Sequence, residues 1–149
     1  MAIEYRLTLA GDIPLAHVAA LISPTGVEES NLPGYPRLLS ANLQATSGCT
    51  VSIHGGSNGY FDAESDDHSP WEWEPDQYVN ITFHMPKDDP TGQSTPAMVE
   101  AVARILTHQP EDAALVLNGN WLLLTRVAGT PHKHRRSWWA NYDLDEAFP

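Results

Sequence analysis

The sequence contains a single cysteine, Cys49, in 149 residues. One cysteine cannot form an intrachain disulfide, so nothing in the chain indicates an oxidising compartment. No stretch approaches the roughly 18 apolar residues of a membrane-spanning helix, and residues 1–9 lack the basic start and apolar run of a signal peptide. We therefore expect a cytoplasmic protein with neither an export signal nor a membrane span.

Basic residues are also scarce. The chain has 8 Lys and Arg against 19 Asp and Glu, which gives a formal net charge of −11. A field of that sign repels nucleic acid and anionic lipid and attracts cationic partners. We therefore expect no contact with nucleic acid or membrane, and the charge favours a basic protein as the partner.

Motifs that would identify an active site or a metal centre are missing as well. The histidines are scattered, and only His132 and His134 lie close in sequence, without the cysteine or carboxylate partners of a zinc site. Gly55, Gly56 and Gly59 do not form a phosphate-binding pattern, and no nucleophile elbow is present. The sequence therefore predicts no catalytic residue, no metal ligand and no cofactor, and it does not predict an enzyme.

The residues that are present indicate one folded domain. The chain is 42% hydrophobic and contains 5 Trp, 5 Tyr and 3 Phe, which is enough apolar material for one core at this length. We predict a single domain over residues 1–149, with residues 129–149 as a candidate extended C-terminal tail. The sequence does not indicate the oligomeric state.

Hydrophobic periodicity predicts the elements of the first half. Residues 3–9 alternate as a half-buried strand does, and residues 13–21 have helical spacing. Residues 23–36 are rich in Pro, Gly, Ser and Glu and show no periodicity, which indicates a surface loop. Residues 37–45 and 49–54 predict two paired strands with a short turn between them.

The second half gives stronger patterns. Residues 77–85 alternate as a strand, and residues 94–108 begin with an N-cap signature and continue with an apolar helical face. Residues 113–117 and 121–127 flank an Asn-Gly turn, which is typical of a hairpin. Both of these strands are nearly continuous apolar runs, so we expect them to be central in the sheet.

These elements follow the order β-α-β-β-β-α-β-β. Hairpin connections dominate this order, which favours an antiparallel sheet with helices on one side. The predicted fold class is therefore α+β, with an antiparallel sheet of about six strands and two helices packed mainly on one face.

The most informative segment is an acidic run that also carries aromatic residues. Seven carboxylates fall between residues 62 and 76, and aromatic rings are interleaved with them. Such anchors surrounded by charge are typical of protein interfaces, because the rings supply desolvated contact area and the carboxylates steer a basic partner. The candidate partner-binding residues are Asp62, Glu64, Asp66, Asp67, Trp71, Glu72, Trp73 and Glu74.

Two other interpretations of the acidic run stay open. The run is also consistent with a solvated loop whose Trp71 and Trp73 pack on the core. Its dense carboxylates also resemble the oxygen ligands that Ca²⁺ prefers. The EF-hand pattern is missed, however, because Asp67 and Trp73 stand where that loop requires Gly and Glu.

A short basic segment at residues 132–136 precedes Trp138 and Trp139. In a basic protein, this combination would suggest binding of RNA or single-stranded DNA. Here the rest of the chain would repel phosphates. We therefore favour an intramolecular contact between this segment and the acidic run, or else a surface tail, over binding of nucleic acid.

Several strings in the sequence resemble a small bacterial family. They are residues 58–64, 71–76, 110–118 and 121–124. From residue 4 to about residue 142, the chain is similar to the immunity proteins of swarm-inhibition (Sit-type) toxin systems. The resemblance implies a cytoplasmic protein that neutralises a cognate toxin domain by binding it, and it implies no catalytic residues.

We therefore expect an immunity-type inhibitor of a cognate, basic toxin domain. Two alternatives stay open. One is a small-ligand or metal-binding domain or enzyme that uses the same carboxylates with His54 or His84, and a convergent pocket would favour it. The other is an acidic mimic of nucleic acid, which predicts carboxylates spaced along one elongated face.

Overall fold

The computed structural model describes residues 3–22, 27–30, 38–43, 49–65, 68–85, 94–142 and 144. These residues form ten strands and three helices. The strands are β1 (Ile3–Ala10), β2 (Val27–Ser30), β3 (Leu38–Leu43), β4 (Cys49–Ser57), β5 (Phe61–Glu64), β6 (Pro70–Trp73), β7 (Gln77–Met85), β8 (Ala113–Leu117), β9 (Trp121–Val127) and β10 (Thr130–Lys133). The helices are α1 (Leu15–Ile22), α2 (Ser94–His108) and α3 (Arg136–Asn141).

All of these strands belong to one sheet. Its order is β2-β3-β4-β7-β1-β8-β9-β5-β6, and β10 pairs with β9 beside this path. The pairings between described strands are antiparallel except for that of β5 with β9, where Glu64 and Trp121 form a parallel bridge. The two apolar strands β8 and β9 lie inside this order, as their sequences predict.

The predicted α+β class is confirmed, but the predicted strand number and the all-antiparallel pairing are wrong. The four strands that were not predicted are β2, β5, β6 and β10, and each has 4 residues. Such short strands give too few alternations for a periodic signal. A third helix, α3, also goes beyond the prediction, and it lies with β10 in the segment 129–149.

The main core lies between one face of the sheet and helices α1 and α2. A row of side chains crosses four strands in register, and each member is at most 1% exposed: Ile53, Ile81, Leu7 and Leu115. The helices close this layer with their apolar faces, which include Val18 of α1 and Val102 of α2. Burial of each such side chain contributes about 1.5–3 kcal/mol.

Helix α3 is attached to this core by a buried tryptophan. Trp139 is fully buried, and its indole N–H donates to the main-chain oxygens of Leu123 at 3.1 Å and His134 at 3.0 Å. Trp138 packs edge-on against Tyr5 of β1, with ring centres 5.8 Å apart. Helix α3 is therefore fixed to β1 and β9.

Strands β4 to β7 form one long ribbon that bends in the middle. Beyond the register pair of Ser57 and Gln77, pairing continues through the N–H groups of Asn58 and Gly59, which donate to the main-chain oxygens of Asp76 at 2.6 Å and Pro75 at 2.9 Å. The outer half of the ribbon, the β5–β6 hairpin, then folds over the helix-free face of the sheet.

A second, smaller hydrophobic cluster holds the folded hairpin in place. It contains Ala63 of β5 with Ala114, Val116 and Leu122 of β8 and β9, and the part-buried rings of Trp71 and Trp73 pack against it. A register shift between Leu115 and Val116 brings Leu122 to this side while the next residues of β9 face the main core. The hairpin is therefore covered on its inner side.

Polar residues of the helix-free face are buried under the hairpin. The Thr8 hydroxyl donates to Asn80 Oδ1 at 2.6 Å, and Asn80 Nδ2 lies 3.5 Å from His54 Nε2. The guanidinium of Arg6 lies over the ring of Phe61, with 5.0 Å between Cζ and the ring centre. The Thr8–Asn80 hydrogen bond satisfies polar groups that burial would otherwise leave without partners.

Candidate partner-binding surface

The register of the β5–β6 hairpin decides which side chains face outward. Asp62 lies directly opposite Glu72, and Phe61 lies opposite Trp73. Because side chains alternate along a strand, the carboxylates and the rings fall on opposite sides of the hairpin. We call the outward side the acidic face, and its described members are Asp62, Glu64, Glu72 and Glu74 with Tyr60.

The candidate residues predicted from sequence are only partly brought together on this face. Asp62, Glu72 and Glu74 are exposed, and Glu64 is half-buried. Trp71 and Trp73 are also half-buried, but their rings pack toward the second cluster. Asp66 and Asp67 lie outside the described residues. The carboxylates, and not the tryptophans, therefore dominate the outward side.

Two like charges face each other at the centre of the acidic face. Directly opposed residues in an antiparallel pair have Cβ atoms about 4.5–5.5 Å apart, and like charges at that spacing destabilise a sheet. In the described part of the chain, neither Asp62 nor Glu72 has an ion-pair partner within 4.0 Å. The free protein therefore retains a repulsion between these two carboxylates, which the attraction between Asp62 and Arg6 offsets in part. A cationic partner would relieve it.

An exposed aromatic ring borders these carboxylates. Tyr60 is 54% exposed, and its hydroxyl interacts with the carboxylate of Glu72. Desolvation, together with the negative charges of Glu72 and Asp62, raises the pKa of Tyr60. The hydroxyl is therefore neutral and can donate at physiological pH, and the ring provides exposed contact area. The sequence analysis did not include Tyr60 among the candidate residues, although it precedes the first acid by only two positions.

The other end of the hairpin is held by Arg135. Its Nη2 donates to the main-chain oxygens of Glu64 at 3.1 Å and Ser65 at 3.4 Å, and lies 3.7 Å from Glu64 Oε1. Its guanidinium also stacks on Trp121, with 4.4 Å from Cζ to the ring centre. This contact confirms the expected intramolecular pairing of the basic segment with the acidic run.

The Arg135 contact is made from an uncommon backbone conformation. Arg135 has φ 56° and ψ 60°, in the left-handed region, at the start of α3. A non-glycine residue in a sparsely populated region costs roughly 1–3 kcal/mol, and it persists where its surroundings determine it. Here the contacts to Glu64, Ser65 and Trp121 hold Arg135 in this backbone conformation. They fix the acidic face relative to the sheet.

Trp121 is the second exposed ring beside the acidic face, and it was not predicted. Its side chain is 47% exposed, and its bridge with Glu64 places both residues on the same side of the sheet. The sequence pattern suggested that β9 would be covered on both sides. This holds for its centre, but the two end residues, Trp121 and Val127, are exposed.

The residues of the alternative enzyme interpretation are not gathered into one pocket with the acidic face. His54 lies on the inner side of the folded ribbon, next to Asn80, and His84 lies 3.8 Å from Glu4 on the helix-free face. Among the residues that the structure describes, no three His, Cys, Asp or Glu side chains are grouped so that they could hold a metal ion. The described helices include none long and apolar enough to cross a membrane.

An exposed acidic hairpin on an α+β scaffold is an arrangement suited to a protein that acts by binding another protein. The chain belongs to the SitI3-like family, whose model matches residues 3–143. This membership confirms the resemblance to Sit-type immunity proteins and indicates an immunity protein. No curated protein and no solved structure matches the chain.

Proposed function

We propose that this immunity protein binds a cognate toxin domain through the acidic face and thereby neutralises it in the cytoplasm. The toxin surface that it contacts is basic. The protein acts by occupying that surface and catalyses no reaction. The contact residues are Asp62, Glu64, Asp66, Asp67, Trp71, Glu72, Trp73 and Glu74.

The observation that carries this proposal is the opposition of Asp62 and Glu72 on an exposed face. A lysine or arginine placed between them would form charge-assisted hydrogen bonds and remove their repulsion. The net charge of −11 acts at longer range in the same direction, because it raises the rate of encounter with a basic partner. Family membership supplies the independent support that the partner is a toxin.

Neutralisation follows from geometry as well as from charge. Toxin domains that act on nucleic acids carry basic active sites, and an acidic protein bound there excludes the anionic substrate. The Arg135 contact holds the hairpin before the partner arrives, so less conformational entropy is lost on binding. Trp71 and Trp73 support the acidic face from its inner side and are only half-buried, so part of each residue stays accessible.

The test is a pull-down with the tagged protein from lysate of its native cell, at low and moderate salt, with mass spectrometry of the retained proteins. We expect a basic toxin domain that is retained at low salt and released as salt rises. The gene for that domain should lie beside the gene for this chain. Retention of a small molecule or metal ion alone would contradict the proposal, and retention of a nucleic-acid-handling protein would favour the mimic of nucleic acid.

A charge-matched pair of variants makes the test specific to the acidic face. The first carries Asp62→Asn, Glu72→Gln and Glu74→Gln. The second carries an equal charge change at partly or fully exposed positions off the hairpin, with Glu4→Gln, Asp12→Asn and Glu100→Gln. We expect the first variant to lose the partner and the second to retain it. An equal loss of binding in both variants would show that only net charge matters.

A further inference from the structure

A groove adjoins the acidic face at the end held by Arg135. It is open, has a volume of about 620 Å³, and is lined by Trp121, Arg135, Arg136, Ser137, Trp138 and Asn141. Trp121 lines this groove and borders the acidic face, because it pairs with Glu64 and lies on the same side of the sheet. The two surfaces are therefore continuous.

The described residues that line the groove include two arginines and no carboxylate. Arg135 is occupied by Glu64, but Arg136 is exposed and forms no hydrogen bond or ion pair with another described residue. A cation in that position, on a protein with a net charge of −11, is complementary to an anionic group and not to the basic surface that the acidic face would take. Two indole rings flank it, which supplies apolar contact area.

Trp121 has the features of an interface anchor. Tryptophan and arginine are enriched among the residues that dominate binding energy, and here an exposed indole is stacked under a guanidinium at 4.4 Å. The stack holds the ring in one orientation before any partner binds, so little rotamer entropy is lost on contact. Val127, at the other end of the same strand, is 63% exposed but does not line this groove.

We infer that the groove is the second half of the partner interface, and that it receives a segment of the same toxin domain with a carboxylate beside an apolar side chain. The inference rests on the proposed function. The apolar side chain packs on Trp121 and Trp138, and the carboxylate pairs with Arg136. Adjacent surfaces of opposite charge fix one docking orientation, because rotation of the partner would place like charges together.

The experiment measures binding kinetics of the toxin domain that the wild-type protein retains, in purified and catalytically inactivated form, against single variants. Trp121→Ala should raise the dissociation rate at least about 30-fold, the ratio that corresponds to a hot-spot residue, with little change in the association rate. Arg136→Glu should weaken binding about five- to tenfold. Val127→Ala is the matched control and should bind like the wild type.

Two further readouts separate contact from folding. Arg136→Glu alters a side chain without described partners, so its melting temperature should equal that of the wild type even if Trp121→Ala lowers it by loss of the Arg135 stack. With 5-fluorotryptophan in the chain, the toxin domain should shift the ¹⁹F resonance of Trp121. If Trp121→Ala and Arg136→Glu both bind with wild-type kinetics while the acidic-face variant binds more weakly, the groove is not part of the interface. The proposed function would be unaffected by that result. Failure of the wild-type protein to retain any toxin domain would contradict both the proposed function and the role of the groove.

Discussion

The ring of Tyr78 occupies the space that a side chain at Gly56 would need. A Cβ built at Gly56 would lie 2.5 Å from Tyr78 Oη, and one at Gly59 would lie 2.8 Å from Tyr78 Cδ1. The same ring packs edge-on against Phe61, with ring centres 5.1 Å apart. Tyr78 therefore links the bend of the ribbon to the base of the acidic hairpin.

Gly56→Ala should destabilise the protein by about 1–3 kcal/mol, because the new methyl group overlaps the Tyr78 ring and forces it to shift. Gly55→Ala is a close control. Its Cβ would lie 3.5 Å from the nearest atom, which is ordinary contact, so its effect should be much smaller. Urea denaturation of both variants checks this. Equal loss of stability in the two would show that the glycines matter only for backbone flexibility.

Glu72→Gln should stabilise the free protein by about 0.2–1 kcal/mol, since it removes the repulsion from Asp62 and keeps an oxygen that can accept from Tyr60. The same variant should bind the partner less tightly, with a weaker dependence on salt. Glu100→Gln, on the exposed side of α2, is the control and should change stability little. Denaturation midpoints at low salt measure this, and a destabilised Glu72→Gln protein would argue against repulsion at this pair.

Arg126→Met should destabilise the protein by about 2–4 kcal/mol. The guanidinium donates to the main-chain oxygens of Leu106, Gln109 and Glu111, which follow or end helix α2, and the side chain is buried. Its loss would leave these carbonyls without donors. Arg104→Met removes a single exposed contact, from Nε to the oxygen of Leu21 at 2.9 Å, and should cost less than about 1 kcal/mol. Similar losses in the two variants would contradict this role of Arg126.

Acidification from pH 7 to pH 5 should destabilise the protein partly through His54. Burial, and then the positive charge of Arg6, lowers the pKa of His54 below its ordinary value of 6.5. Below pH 6.5, His54 binds a proton more readily in the unfolded chain than in the folded chain, so stability falls as the pH falls. His54→Gln should flatten this part of the pH dependence, and the exposed His17→Gln should not. NMR titration of the His54 ring checks the direction of the shift directly.

The sequence predicted the elements with long periodic patterns. Strands β1 and β7 and helix α2 each repeat their pattern often enough for it to exceed local noise, and β8 and β9 were predicted from their apolar runs and the Asn-Gly turn between them. The β5–β6 hairpin could not be predicted in this way, because its place depends on contacts far apart in the chain. The Arg135 contact to Glu64 spans 71 positions, and no local pattern contains that information.

The candidate surface was predicted in composition but not in orientation. A count of carboxylates locates the acidic run, but only the pairing of Asp62 with Glu72 shows which side chains share a face. That pairing turns the rings of Trp71 and Trp73 toward the second cluster, and the exposed rings that border the acidic face are those of Tyr60 and Trp121. Alternation along β5 and β6 would have suggested the first result had the strands been recognised.

The most direct test of the account is a titration of the toxin's own activity with this protein at fixed toxin concentration. We expect activity to fall to zero at a fixed molar ratio with the wild type and with the Glu4→Gln, Asp12→Asn, Glu100→Gln control. The Asp62→Asn, Glu72→Gln, Glu74→Gln variant should need a large excess, and more of it at higher salt. Full toxin activity in the presence of saturating wild-type protein would contradict the claim that binding by the acidic face confers immunity.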